Sequence, residues 1–243
     1  MSYMKLFLST LTPLLLVGLF SLNSSSLQAQ SEAATPTGDE ILRFVRMNQA
    51  SQDLKHLNGK LRNDDDEGAE HPFELTMSDN IIRFVFKGAP PETIQLDLKD
   101  NTSQLSRITA DSKGPVAVSQ YADAVRKTCL NLEDLSMRFL YWPNSQVMGV
   151  ASMSMRKCWV VRVSNPDGRG PYGTVDVWIE QGSGAMMQMD AFDMKGKKVK
   201  QFKVISGQKY KDAYILKKMR LESYNVDTNK VNGRTYMEIA DPE

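Results

Sequence analysis

The sequence predicts an α+β fold: a strongly curved antiparallel β-sheet that forms an open half-barrel, with a lid of a few α-helices over its apolar concave face. Three observations predict it. Apolar and polar residues alternate with a period of two in several segments, turn sequences separate most of these segments, and three other stretches have helix-like patterning. Because a sheet with one apolar face must bury that face, the helices are its expected cover.

The clearest strands follow one another between residues 156 and 205. In the segment Tyr172 to Glu180, Val175, Val177 and Ile179 fall on one face. The turns Asn165-Pro166-Asp167-Gly168 and Asp193-Met194-Lys195-Gly196 contain the residues that reverse a chain. These features predict an antiparallel meander with strands at 157–163, 172–180, 185–192 and 197–205.

One glycine motif in this meander resembles a nucleotide-binding fingerprint. Residues 168–173 have the spacing G-x-G-x-x-G and follow a strand. A dinucleotide site needs a helix to begin there, but Pro171 interrupts the segment and a strand pattern follows. The motif is interpreted as a hairpin loop, and no cofactor is expected.

The earlier part of the chain supplies more strands and the candidate helices. Alternation predicts strands at 57–62, 73–78, 82–86 and 94–98. Thr37-Gly38-Asp39-Glu40 has capping-box spacing, which predicts a first helix from there to about Leu54. Two further helices are predicted at 118–127 and 132–140.

The N-terminus has the composition of a secretory signal. Lys5 is the only charge in residues 1–29, an apolar run follows it, and small and polar residues lead to Ala29. This pattern predicts a cleaved signal peptide at 1–29, a flexible lead-in at 30–36, a single domain at 37–243 and a periplasmic location. An uncleaved membrane anchor is the alternative, which Pro13 and the scattered Ser and Thr residues disfavour.

The net charge and its distribution along the chain limit which kinds of partner are expected. Without Lys5, the 30 basic residues become 29 and equal the 29 acids. A neutral protein is not expected to bind nucleic acid generally. The segment 195–220 has ten Lys or Arg and one acid, Asp212. It could dock an anionic headgroup or an acidic partner, although a solvated strand face is the favoured interpretation.

No residue pattern for catalysis or metal binding stands out. The two histidines, His56 and His71, lack ligand spacing, and the chain has neither a G-x-S-x-G nor an H-E-x-x-H sequence. The acidic run 64–67 could bind calcium, but a solvated hairpin is favoured. We therefore expect no enzyme and no metal. In an exported protein, the only two cysteines, Cys129 and Cys158, are expected to form a disulfide.

Several segments resemble bacterial outer-membrane lipoprotein-sorting proteins, which belong to the same superfamily as the periplasmic lipoprotein carrier LolA. The resemblance is good over residues 132–239 and looser over 39–98. It is a pattern of strands and turns, carried by Phe139-Leu140-Tyr141-Trp142-Pro143, Val147-Met148-Gly149, Cys158-Trp159-Val160-Val161, Asn165-Pro166-Asp167-Gly168, Val175-Asp176-Val177-Trp178-Ile179, Asp193-Met194-Lys195-Gly196-Lys197 and Leu216-Lys217-Lys218-Met219-Arg220.

The resemblance implies an incomplete barrel that holds lipid acyl chains or acylated lipoproteins between the sheet and a helical lid. Such a carrier would work as a monomer, with a possible membrane-associated donor or acceptor protein. An envelope sensor or scaffold that acts through a protein interface is the alternative. The expected cavity wall, any part of which can instead be plain core, consists of Leu75, Met77, Phe84, Phe86, Leu96, Leu98, Val177 and Ile179.

Overall fold

The computed structural model describes residues 35–50, 54–64, 69–211 and 213–241. The expected signal peptide, most of the lead-in and most of the acidic run lie outside these residues. The elements are helices α1 (Gly38–Ala50) and α2 (Leu132–Ser136) and strands β1 (Leu54–Asn63), β2 (Glu70–Ser78), β3 (Ile81–Phe86), β4 (Glu92–Leu98), β5 (Ser103–Ile108), β6 (Lys113–Pro115), β7 (Gln146–Met153), β8 (Arg156–Ser164), β9 (Thr174–Glu180), β10 (Met186–Phe192), β11 (Lys198–Tyr210), β12 (Ala213–Tyr224) and β13 (Val231–Ile239).

All thirteen strands join one antiparallel sheet, which is open in the described part of the chain. Its order is β6-β5-β4-β3-β2-β1-β13-β12-β11-β10-β9-β8-β7. Strands that follow one another along the chain are therefore neighbours in the sheet, except β6 and β7, and the pairing of β1 with β13 makes the two halves continuous. β6 and β7, which are consecutive along the chain, form the two edges. The predicted antiparallel sheet is confirmed.

Helix α1 begins as its sequence predicts. The backbone N–H of Thr37 donates to Glu40 Oε2 at 2.8 Å, and the backbone N–H of Glu40 donates to Thr37 Oγ1 at 3.3 Å. This reciprocal pair satisfies donors that the first turn leaves free. The helix ends at Ala50, earlier than expected, since β1 already begins at Leu54.

The helix predicted at 118–127 is mostly wrong, whereas the helix predicted at 132–140 forms in two short pieces. At 118–127 only a short 3₁₀ turn forms at Val118–Gln120, because the backbone then has positive φ angles at Arg126 and Lys127 and closes an isolated bridge between Ala124 and Asn131. The second stretch forms α2, breaks at Met137, where φ is 48°, and continues as a 3₁₀ helix at Arg138–Tyr141. We call residues 116–142, which connect β6 to β7, the covering segment; it is largely irregular.

The sheet buries its apolar face in two adjoining clusters. The first joins β1–β5, β12 and β13 to the covering segment through side chains such as Tyr121, Leu130 and Leu135. The second joins β8–β10 to α1 and to Phe139, Leu140 and Trp142. Both clusters have Met137 and Phe202 packed against them. The cover therefore consists of α1 and the covering segment, so the predicted lid of several α-helices is present only in part.

The predicted disulfide is wrong: Cys129 and Cys158 are both free thiols. Cys129 Sγ lies 3.5 Å from Ser223 Oγ on β12, whereas Cys158 lies on β8. Three strands separate β12 from β8. At about 4.8 Å per strand this is roughly 19 Å along the sheet, whereas the Cα atoms of a disulfide lie within about 7 Å.

Candidate functional site

The eight residues of the expected cavity wall lie on the apolar face, but in two groups. Phe84, Phe86, Leu96 and Leu98 belong to the first cluster, and Leu75 and Met77 pack against it. Val177 and Ile179 belong to the second cluster. Cross-strand pairing explains the larger group, since Leu75 lies opposite Phe84 and Ile82 lies opposite both Met77 and Leu96. Six of the eight are buried, so this interior is packed in the structure.

A narrow crevice opens this interior beneath the end of α1. It has no room for a water molecule and is lined by Gln49 and by side chains that include Met77, Ile82 and Leu98. Ligand pockets for molecules of moderate size have volumes of about 300–1,000 Å³. An acyl chain could therefore enter here only if α1 or the covering segment moved.

Gln49 adds a polar group to this apolar crevice. Its side-chain nitrogen donates to Met137 Sδ at 3.4 Å, and its buried Oε1 has no hydrogen-bond partner among the described residues. An unpaired buried carbonyl costs free energy, which a ligand with an N–H or O–H group would recover. Apart from the polar residues at the β2–β3 turn, Gln49 supplies the one polar side-chain acceptor among the described residues that line the crevice. An amphiphilic ligand could donate a hydrogen bond to it.

A buried polar network fastens the covering segment to the sheet. Asp134, on α2, accepts hydrogen bonds from Tyr172 Oη at 2.5 Å and from Lys200 Nζ at 2.9 Å. Lys200 Nζ also donates to the Cys129 carbonyl at 2.5 Å. Asn131 donates through Nδ2 to Tyr172 Oη at 3.2 Å and caps α2. α2, the loop before β9 and strand β11 are thus held at one carboxylate.

Burial sets the ionisation of this network. Burial is the main cause that raises the pKa of Tyr172 well above 10.0, and the neighbouring Asp134 carboxylate adds to it. Tyr172 therefore remains a hydrogen-bond donor at neutral pH. Burial also raises the pKa of Glu133, while the ion pair with Arg138, whose Nε lies 2.7 Å from Glu133 Oε1, opposes that rise. The oxygens of Asp134 already have partners within the protein, which is typical of a structural brace.

The sequence does not predict this brace. Its pattern favours a solvated strand face for the basic segment that contains Lys200, but Lys200 is only 6% exposed. The usable signal was Asn131 followed three residues later by Asp134, which has the spacing of a reciprocal helix cap. No local pattern reveals that Tyr172 and Lys200 meet this cap, because they arrive from distant parts of the chain.

Beside the brace lies a polar cleft of about 360 Å³. Its lining includes Lys127, Cys129, Lys200, Ser223 and Arg234. Arg234 is already paired, since its Nη1 lies 3.1 Å from Asp64 Oδ2 and its Nη2 lies 2.8 Å from Glu222 Oε1. The cleft shows that solvent reaches the contact between the covering segment and β12.

The described ranges contain neither a candidate metal site nor a helix that could span a membrane. There, no three His, Cys, Asp or Glu side chains gather where they could hold a metal ion. Asp64, the described member of the acidic run, pairs instead with Arg234. No described helix is long and apolar enough to cross a bilayer.

The chain matches the model of one protein family. A family model with the description "Uncharacterized protein" matches residues 111–243, which is more than half of the chain. The chain belongs to that family. Comparison with curated proteins gave no match.

Solved structures share the fold at low sequence identity. A LolA superfamily protein from Nitrosomonas europaea is 13% identical with a TM-score of 0.62, over 85% of this chain and 93% of that one. A domain assigned to outer membrane lipoprotein-sorting proteins, from Vibrio parahaemolyticus, is 12% identical with a TM-score of 0.63, over 84% and 90%. A DUF1329 family protein from Desulfovibrio piger is 13% identical with a TM-score of 0.59, over the same shares. The resemblance found in the sequence is thereby confirmed for the fold.

Proposed function

We propose that this protein is an exported, periplasmic carrier of lipid acyl chains or acylated lipoproteins, and not an enzyme. The supporting observation is the continuous apolar face of the sheet, covered by α1 and by a segment that has little regular structure of its own. A cover of this kind can be displaced without breaking the sheet. The fold shared with the lipoprotein-sorting domain supports the same proposal.

The packed interior corresponds to the closed state of such a carrier. Opening would expose buried apolar surface and separate the Lys200–Asp134 pair, and both changes cost free energy. Each methylene that enters returns about 0.8 kcal/mol, so a chain of about twelve methylenes returns roughly 10 kcal/mol. One long acyl chain is enough to offset the loss of this pair. Release would then require a membrane-associated partner that stabilises the opened cover.

A second candidate is an envelope sensor or scaffold that works through a protein interface. Edge strand β7 favours it, because its exposed side chains include Met148 and Val150 and its outer backbone groups have no neighbouring strand among the described residues. An edge of this length without charged residues or proline can accept a strand from another chain. This candidate predicts a protein partner and no acyl chain in the interior.

The test is native mass spectrometry of the mature protein purified from its exporting host, with extraction of any bound lipid. Met77→Trp should abolish lipid binding, since Met77 is half-buried and lines the crevice where the larger ring would take the space of the chain. Met155→Trp is the matched control because Met155 is 99% exposed. A wild-type protein that carries no lipid and takes up no added fatty acid would overturn the carrier and favour the scaffold.

A further inference from the structure

The β11–β12 hairpin extends beyond the strands on both sides of it. β10 pairs with β11 only from Lys198 to Lys203, and β13 pairs with β12 only from Lys218 to Tyr224. Residues 207–210 and 213–216 therefore pair with each other alone in the described sheet. We call the described residues of 205–216, which are 205–211 and 213–216, the projecting hairpin.

One face of the projecting hairpin is fixed to the body of the protein. Gln208 lies opposite Ile215, so the two side chains share a face. Gln208 is buried, and its Nε2 donates to the carbonyls of Ile239 and Ala240 at 3.4 and 3.0 Å. Ile215 and Tyr210 pack against the first core cluster. These contacts hold the hairpin in place without help from its other face.

The opposite face combines exposed apolar groups with positive charge. Lys209 lies opposite Tyr214, and both are exposed, Tyr214 to 75%. Ile205, which lies at a register shift within β11, is 48% exposed. At the tip, the exposed Lys211 places its ammonium 5.1 Å from the centre of the Tyr210 ring. This side of the hairpin therefore presents a tyrosine and two lysines to solvent.

The two lysines of this face differ in their pairing from the basic residues that follow them. The next basic residues, Lys217 and Lys218, are paired with Asp241 at 2.7 Å and Glu238 at 2.8 Å. Among the described residues, no acid forms an ion pair with Lys209 or Lys211. A tyrosine beside lysines that have no acidic partner among the described residues is a combination that anchors proteins in the headgroup region of an anionic bilayer.

We propose that the exposed face of the projecting hairpin docks the protein onto an anionic membrane surface. Tyr214 would enter the headgroup layer while Lys209 and Lys211 contact lipid phosphates. The small size of this surface makes docking reversible, as a shuttling protein requires. The inference rests on the proposed export, but it does not depend on cargo, because the docking residues are separate from the apolar interior.

The experiment is cosedimentation of the lipid-free mature protein with vesicles. Binding should occur to equal parts of phosphatidylcholine and phosphatidylglycerol, weaken as salt is raised, and be absent with phosphatidylcholine alone. The double variant Lys209→Glu and Lys211→Glu should lower the partition coefficient by at least about thirtyfold. The double variant Lys113→Glu and Lys230→Glu makes the same charge change at exposed sites elsewhere and should bind normally.

Two results would overturn the inference: no wild-type binding to anionic vesicles, or an equal loss of binding in the control variant. Fatty-acid uptake, measured in parallel on the hairpin variant, separates this inference from the proposed function. Uptake should be unchanged when vesicle docking is lost. Failure of uptake with normal docking would contradict the carrier and leave the docking surface intact.

Discussion

At the scale of single residues, the decisive contact is the hydrogen bond from Tyr172 to Asp134. Both groups are almost completely buried, and the same carboxylate also pairs with Lys200. A hydrogen bond to a charged buried group contributes about 1.5–3 kcal/mol to the free energy of unfolding. The residues of this contact are far apart in sequence, so only the folded chain reveals it.

Tyr172→Phe should therefore lower the free energy of unfolding by about 1.5–3 kcal/mol, measured in urea at neutral pH. The folded protein raises the pKa of this phenol above 10.0. The contribution of Tyr172 to the free energy of unfolding is therefore fully present below pH 10 and declines as the pH rises further. Phenylalanine does not titrate, so the difference between the two proteins should shrink above that pH. Tyr214→Phe, at an exposed site, should change stability by less than about 0.5 kcal/mol. Equal stability of Tyr172→Phe and wild type at neutral pH would refute the brace.

At the scale of elements, α1 shows which parts of the fold the sequence could predict. Its start follows from the local capping box, and the strands 73–78, 82–86 and 94–98 follow from alternation that is visible within a few residues. Strands β5, β6 and β13 do not follow from any local pattern, and β7 and β12 enter only through the family resemblance. The helix that the pattern at 118–127 predicts does not form, because tertiary contacts with the sheet hold that segment in turns.

The docking of α1 depends on a close approach at Gly38. A Cβ added there would lie 2.6 Å from Ser145 Oγ and 2.7 Å from the Ser145 carbonyl oxygen, which is backbone and cannot move aside easily. Gly38→Ala should therefore lower the free energy of unfolding by about 1–3 kcal/mol, despite the better helix propensity of alanine.

The measurement is urea unfolding followed by tryptophan fluorescence, since Trp142 lies in the cluster that α1 covers. Gly88→Ala is the matched control, because a Cβ at Gly88 would meet no atom within 4 Å. A Gly38→Ala protein as stable as this control would show that α1 is not seated against Ser145 in solution.

At the scale of the whole molecule, the sequence predicted an antiparallel sheet with one apolar face, but not how that face is filled. The eight expected wall residues all lie on it, because strand alternation alone decides which face a side chain takes. Whether facing layers meet or leave a cavity depends on the covering segment, whose course is set by contacts from Lys200, Tyr172 and Arg138. The same contacts bring Cys129 to Ser223 and keep it from Cys158.

That proximity gives a direct test of the carrier. Cys129 belongs to the covering segment and Ser223 to β12, and their Sγ and Oγ atoms are 3.5 Å apart, so Ser223→Cys should form a disulfide that locks the cover to the sheet. Uptake of a fluorescent fatty acid by the mature protein should be at least about tenfold slower in the oxidised variant than after reduction.

The double variant Cys129→Ala and Ser223→Cys keeps the new thiol but cannot form the lock, and its uptake should be indifferent to oxidation. The measurement to make is the rate of fatty-acid uptake by these proteins, oxidised and reduced. The account predicts slow uptake only in the oxidised Ser223→Cys protein. Equally fast uptake with the disulfide formed would contradict entry of acyl chains beneath the covering segment.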